Sequence, residues 1–100
     1  MPHYIFMISL NEEGRKNIKS LTTGIDSAIK QAEELGGKLI DIYGLFGEHD
    51  FLAIAEFPND EAASIFVLSP DTDDGDIWTR VKTIKAFTME EINSIVNKLP

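Results

Sequence analysis

An α+β fold, with one antiparallel sheet carrying its helices on a single face, is what this 100-residue sequence predicts. Three observations carry that prediction. Apolar, β-branched runs alternate with helix-patterned runs in the order β-α-β-β-α-β-α. The second and third strand runs are joined by only Gly47-Glu48-His49, too short for the crossover that a parallel pair needs. A charge of 9 − 17 = −8, 43% hydrophobic residues and no cysteine describe one acidic globular domain over residues 1–100, folded without disulfides. Surface scaling leaves roughly 5,700 Å² exposed of about 16,000 Å² in the extended chain, so about two-thirds can be buried.

Residues 3–10 are β-branched and aromatic with apolar residues on both parities, the mark of a strand buried on two faces. Residues 11–14 turn the chain, and residues 15–22, polar apart from Ile18 and Leu21, read as a short exposed helical turn or loop. From Thr23, the positions Ile25, Ala28, Ile29, Ala32 and Leu35 step by three and four. Asp26 stands three residues after a capping Thr23, and Gly36-Gly37 supplies the positive-φ stop of this first helix.

Residues 38–46 and 50–57 form a predicted hairpin closed by Pro58. Asn59 caps the second helix, whose first turn carries Asp60 and Glu61 against its positive end and whose last residue precedes Pro70. After the acidic loop 71–76, residues 77–87 alternate apolar residues with Thr, Arg and Lys, as an edge strand does. Thr88 and Glu91 form a capping box for a C-terminal helix with Ile92, Ile95, Val96 and Leu99 on one stripe. This order is the split βαβ, or ferredoxin-like, arrangement with an added C-terminal helix.

Strict alternation with Phe46 on the helix-covered face puts Ile40, Ile42 and Gly44 beside it and turns Leu39, Asp41, Tyr43 and Leu45 to the other face. Phe51, Ala53 and Ala55 join the first set; Asp50, Leu52, Ile54 and Glu56 join the second. That second face is apolar beyond what a monomer normally exposes. Its predicted cover is a second copy packed sheet on sheet, or else the C-terminal helix.

Nine scattered Lys and Arg make no footprint for phosphate contacts, and anionic membranes are disfavoured for the same reason. With no membrane-length apolar run and no signal-peptide pattern in residues 1–10, a cytoplasmic location is expected.

Several segments together resemble the GYD-domain family, named for a Gly-x-Tyr-Asp turn between its second and third strands. Here that turn reads Gly47-Glu48-His49-Asp50. Similar patterns lie in the opening residues 1–5, in residues 35–39 at the end of the first helix, in residues 56–63 and in residues 86–91. The resemblance implies a ferredoxin-like domain of the dimeric α/β-barrel class with no established activity. His49 stands where the family has tyrosine, and the acidic loop 71–76 replaces a Gly-rich link.

His49 is one of two imidazoles, and with Asp50 or Glu48 beside it is a candidate acid or base; the favoured reading is a solvated turn residue, with Asp50 holding the turn. If the first and third strands run parallel, His3 and His49 share one end of the sheet, where with Asp50 they could ligate a zinc- or iron-like metal. The loop 71–76 fails the calcium-loop register and reads as a solvated acidic segment. Asp41, Tyr43 and Glu56 are polar groups on the apolar second face. Paired with Arg80 or Lys82 they are structural; left among apolar neighbours they anchor a ligand between walls formed by Tyr43 and Trp78, with Asp41 or Glu56 as a general base. No serine lies in a nucleophile elbow, and no cofactor is predicted. The leading expectation is a homo-oligomer that binds a small, partly apolar molecule or serves as an assembly module. The alternative is a cofactor-independent enzyme resembling the small monooxygenases or isomerases of α/β-barrel architecture.

Overall fold

The computed structural model describes residues 1–16, 18–69 and 78–100; within them the side chains of Glu13, of residues 20–23 and of residues 78–80 lie outside the description. The acidic loop 71–76 therefore lies outside the described residues. The elements are β1 (His3–Leu10), α1 (Glu12–Lys16), a single 3-10 turn (Ile18–Ser20), α2 (Leu21–Glu34), β2 (Lys38–Gly44), β3 (Phe51–Glu56), α3 (Asp60–Leu68), β4 (Trp78–Ala86) and α4 (Met89–Asn97). The strands lie in the order β2-β3-β1-β4 with every neighbouring pair antiparallel. This is the ferredoxin-like arrangement.

The local signals near helix ends acted as expected where they lie close in sequence. The Asn59 side chain accepts from the Ala62 N–H, and Thr88 and Glu91 exchange side-chain and backbone bonds in a complete capping box. The first long helix departs from expectation. It begins at Leu21, so Thr23 lies inside α2 and does not cap it. Residues 12–14, expected to turn the chain, begin α1, and of the helical turn or loop expected over 15–22 the described residues take the helical form, in the end of α1, the 3-10 turn and the start of α2.

Gly36 and Gly37 serve different needs. Gly36 takes φ +80, the left-handed conformation that ends α2, whereas a Cβ on Gly37 would stand 2.7 Å from the Glu56 carbonyl oxygen and 2.7 Å from the Phe57 ring. The α2–β2 corner is thus pressed against the end of β3.

Inside, Tyr4, Phe6, Ala53, Ala55 and Phe57 are buried under Ala32 of α2 and Ala63 of α3. Phe57 is fully enclosed and meets Tyr4, Phe6 and Phe66 in edge or tilted ring contacts at centroid distances of 5.8, 6.4 and 5.3 Å. Small residues at 53 and 55 on β3 make room for these rings.

Strict alternation fails on β2. The ladder to β3 shifts between Leu39 and Asp41, so Leu39 pairs with Ala55, Asp41 with Ile54 and Ile42 with Ala53. This bulge absorbs Ile40 and lets both Leu39 and Ile42 pack on the helix-side core. Ile40 is consequently exposed, not on the covered face as alternation predicts. Phe46, expected beneath the helices, lies beyond the end of β2 and is fully exposed.

Candidate functional site

Register across the sheet defines its uncovered face. Ile5 pairs with Ile54 on one side and Ile84 on the other, Met7 with Leu52 and Lys82, and Leu52 in turn with Tyr43. Directly paired residues of antiparallel strands point to the same face. An apolar floor of Ile5, Met7, Leu52, Ile54 and Ile84 therefore runs across β3, β1 and β4 opposite the helices, with Asp41 and Tyr43 of β2 along its edge. Leu52 and Ile54 are half-buried by their neighbours alone, and Ile84 on the edge strand is exposed.

Polar pairs stand at the rim of this floor. The Tyr43 hydroxyl donates to Asp41 Oδ2 at 2.8 Å, and Asp41 Oδ1 accepts from the Ile42 N–H at 2.9 Å. That hydrogen bond, with the carboxylate charge behind it, raises the Tyr43 pKa above its ordinary value. At the end of the ladder His3 Nε2 lies 3.4 Å from Glu56 Oε1, while His3 Nδ1 is buried with no partner among the described residues. The acids that sequence nominated as bases are thus paired with Tyr43 and His3. The expected partners on β4 are out of reach for Asp41, because β2 and β4 are opposite edges roughly 14 Å apart at sheet spacing. Tyr43 and Trp78 likewise start from opposite edges; the Trp78 and Arg80 side chains lie outside the described residues.

The Gly47–Asp50 turn makes a second cluster. His49 Nδ1 lies 3.3 Å from Ser9 Oγ, and Asp50 Oδ2 accepts from the Leu10 N–H at 2.8 Å with Arg15 at 3.9 Å. Asp50 also bonds through its own backbone to Ile8 and Leu45. Its carboxylate extends the β1 ladder past the last paired residue of β3, so its partner is the neighbouring strand and not the turn itself. The Ser9–His49 pair escaped the sequence reading because the two residues are 40 apart and only the strand register brings them together.

The metal reading assumed a parallel β1–β3 pair, and the structure corrects it. β1 and β3 are antiparallel: His3 faces Glu56 at one end, and His49 lies beside Ser9 at the other, about 20 Å along the strand. His3, His49 and Asp50 are therefore not brought together. Among the described residues no group of three His, Cys, Asp or Glu gathers to hold a metal.

A third cluster lies on the helix side. The Tyr4 hydroxyl donates to Asp60 Oδ1, and Lys85 Nζ stands 2.9 Å from the same oxygen. Burial first, then the Asp60 bond and charge, push the Tyr4 pKa up to about 12, while the bonds from Tyr4 and Lys85 hold Asp60 below the usual carboxylate range. These bonds tie the start of α3 to β1 and β4.

The family model for the GYD domain matches residues 4–96, nearly the whole chain and every residue of the three clusters except His3. The chain belongs to the GYD domain family. No curated protein matched this GYD domain by sequence. Among solved structures it is similar to MtbAldR, with 18% identity, TM-score 0.64, and 87% of this chain matched to 52% of that one. A transcriptional regulator from Neisseria meningitidis, solved with L-Met, matches at 19% identity and TM-score 0.58, over 87% of this chain and 50% of the regulator. A MhuD mutant holding two manganese protoporphyrin IX groups per active site matches at 12% identity and TM-score 0.54, over 88% and 94%. The GYD domain spans about half the length of the first and second of these. At such identities the likeness establishes the shared fold. Among the described residues, no helix is long and apolar enough to cross a membrane.

Proposed function

We propose that this GYD domain works as a homo-oligomer and binds, on the uncovered face of its sheet, a small and partly apolar molecule carrying a hydrogen-bond donor. The observation that carries the reading is the floor of Ile5, Met7, Leu52, Ile54 and Ile84, bordered by acceptors on Asp41 and Glu56. About 100 Å² of apolar ligand surface laid on that floor contributes about 2.5 kcal/mol. A floor alone leaves one side of a ligand wet, whereas small-molecule sites bury most of the ligand. A second copy facing the first supplies the missing side.

The regulator solved with L-Met and the MhuD mutant solved with porphyrin groups are proteins of this fold that hold small molecules, and both lend support. The pairing of Asp41 with Tyr43 and of Glu56 with His3 favours binding over proton abstraction, since a general base needs a free, desolvated carboxylate.

Light scattering after size exclusion tests the assembly: a dimer or larger at micromolar concentration is expected, and a strict monomer overturns it. A panel of C6–C10 alcohols and phenols tests the site. At least one member should raise the melting temperature saturably in the native chain and not in Ile54→Lys. A flat response across the panel overturns the ligand reading.

A further inference from the structure

A compact 100-residue domain has a radius of gyration of about 13 Å; here it is 14.9 Å, with principal extents of 52 × 30 × 18 Å. The longest strand, the nine residues of β4, accounts for only about 30 Å of the long axis. The accessible surface is 6973 Å², about 1,300 Å² more than the roughly 5,700 Å² expected of a compact monomer of this mass.

Helix α4 lies open to solvent. None of its nine residues is buried, and Ile95, Val96 and Leu99 are 44%, 53% and 64% exposed although they form one stripe with Ile92. Such a stripe is the face by which a surface helix packs. A nine-residue helix is also too short to persist in water by its own hydrogen bonds, even with a complete capping box. It needs a surface to lie on, and its own sheet does not provide one.

Two unpartnered apolar surfaces thus belong to one chain, and their dimensions match. α4 is about 13.5 Å long, close to the roughly 14 Å that separates β2 from β4 across the sheet. Six residues of four strands present a face of about 400 Å², and the aliphatic side chains of Ile92, Ile95 and Val96 on α4 and of Leu99 just beyond it add about 400 Å² at roughly 100 Å² each. Neither surface alone reaches the ~800 Å² per partner typical of a stable dimer, and the two together do.

We propose that α4 is an exchange arm: its Ile92, Ile95 and Val96 stripe, continued by Leu99 just past the helix, lies over the uncovered sheet face of a second copy and roofs the floor of Ile5, Met7, Leu52 and Ile54. The inference rests on the homo-oligomeric reading above and assigns the roof of that site to the other chain's α4. The site is then incomplete in any single chain.

The test is the double variant Ile95→Asp/Val96→Asp in the full-length chain, with Ser94→Asp on the opposite side of α4 as control. Both altered residues are exposed, so circular dichroism should show an unchanged fold. Light scattering should give a dimer for the native chain and the control, and the 11.2 kDa monomer for the double variant, with a dissociation constant at least 100-fold weaker. A double variant that stays dimeric overturns the arm and leaves self-association standing; a native chain that is monomeric overturns both. Because the chain has no cysteine, an equimolar mixture of Val96→Cys and Leu52→Cys gives a second readout independent of any folding defect. A mixed disulfide between the two chains is expected under mild oxidation, and its absence overturns the arm.

Discussion

Replacing Gly37 by alanine tests the tight packing of the α2–β2 corner on the end of β3. The new Cβ would lie 2.7 Å from the Glu56 carbonyl oxygen and 2.7 and 2.8 Å from two carbons of the Phe57 ring, against ordinary contacts of 3.4–4 Å. Neither neighbour can yield. The carbonyl belongs to the end of β3, and Phe57 has no exposed surface and is wedged among Tyr4, Phe6 and Phe66. Overpacking of this kind costs about 2–3 kcal/mol, which for a 100-residue domain lowers the melting temperature by roughly 10–20 °C.

Two other glycines calibrate the result. Gly36→Ala brings a Cβ to 3.0 Å from the Pro58 ring and is forced to φ +80, the latter alone costing about 1–2 kcal/mol. Gly44→Ala meets only Phe51 at 3.9 Å, and it should be neutral or stabilising by about 0.5 kcal/mol, since alanine leaves the unfolded chain less conformational freedom than glycine does. Urea denaturation with a common m-value gives all three differences. If Gly37→Ala falls within about 0.5 kcal/mol of the native chain, the close packing of the α2–β2 corner on β3 is wrong. Because Glu56 carries the pressed carbonyl, the same variant should also weaken binding of any alcohol found to occupy the uncovered face.

Tyr4 makes stability depend on alkaline pH. Its folded pKa, raised to about 12 from 10.0, means that its contribution is complete below pH 10 and is lost as pH rises towards 12, by up to about 1.4 kcal/mol per pH unit. The stability gap between the native chain and Tyr4→Phe, measured by urea titration from pH 7 to 11, should therefore shrink above pH 10; a constant gap counts against the buried phenol. Asp50→Ala strips the acceptor from the N–H of buried Leu10 and should cost about 1–2 kcal/mol, while Asp50→Asn retains an oxygen there and recovers most of it. Equal losses in the two variants would assign the effect to charge with Arg15 instead.

Helix ends such as Asn59 and the Thr88–Glu91 box were legible because donor and acceptor lie within four residues, where chain geometry fixes their distance. The apolar parity of β3 was legible for the same reason, since alternation needs no distant partner. Prediction failed on β2, where the bulge at Ile40 depends on fitting both Leu39 and Ile42 under the helices. It failed also on the direction of β1 against β3, which separates His3 from His49. Thr23 was misread as a cap because a Thr-x-x-Asp spacing occurs inside helices as well as at their starts.

The sequence by itself determined the element order, the two exact caps and an apolar second face, all properties of neighbouring residues or of a two-residue repeat. Only the tertiary structure decided which polar groups meet: Asp41 with Tyr43, Glu56 with His3, Ser9 with His49 and Tyr4 with Asp60. Apart from Asp41 and Tyr43, each pair lies on different strands or elements, so its existence depends on register and strand direction. Those are set by how the whole core packs, and no local stretch of sequence encodes them.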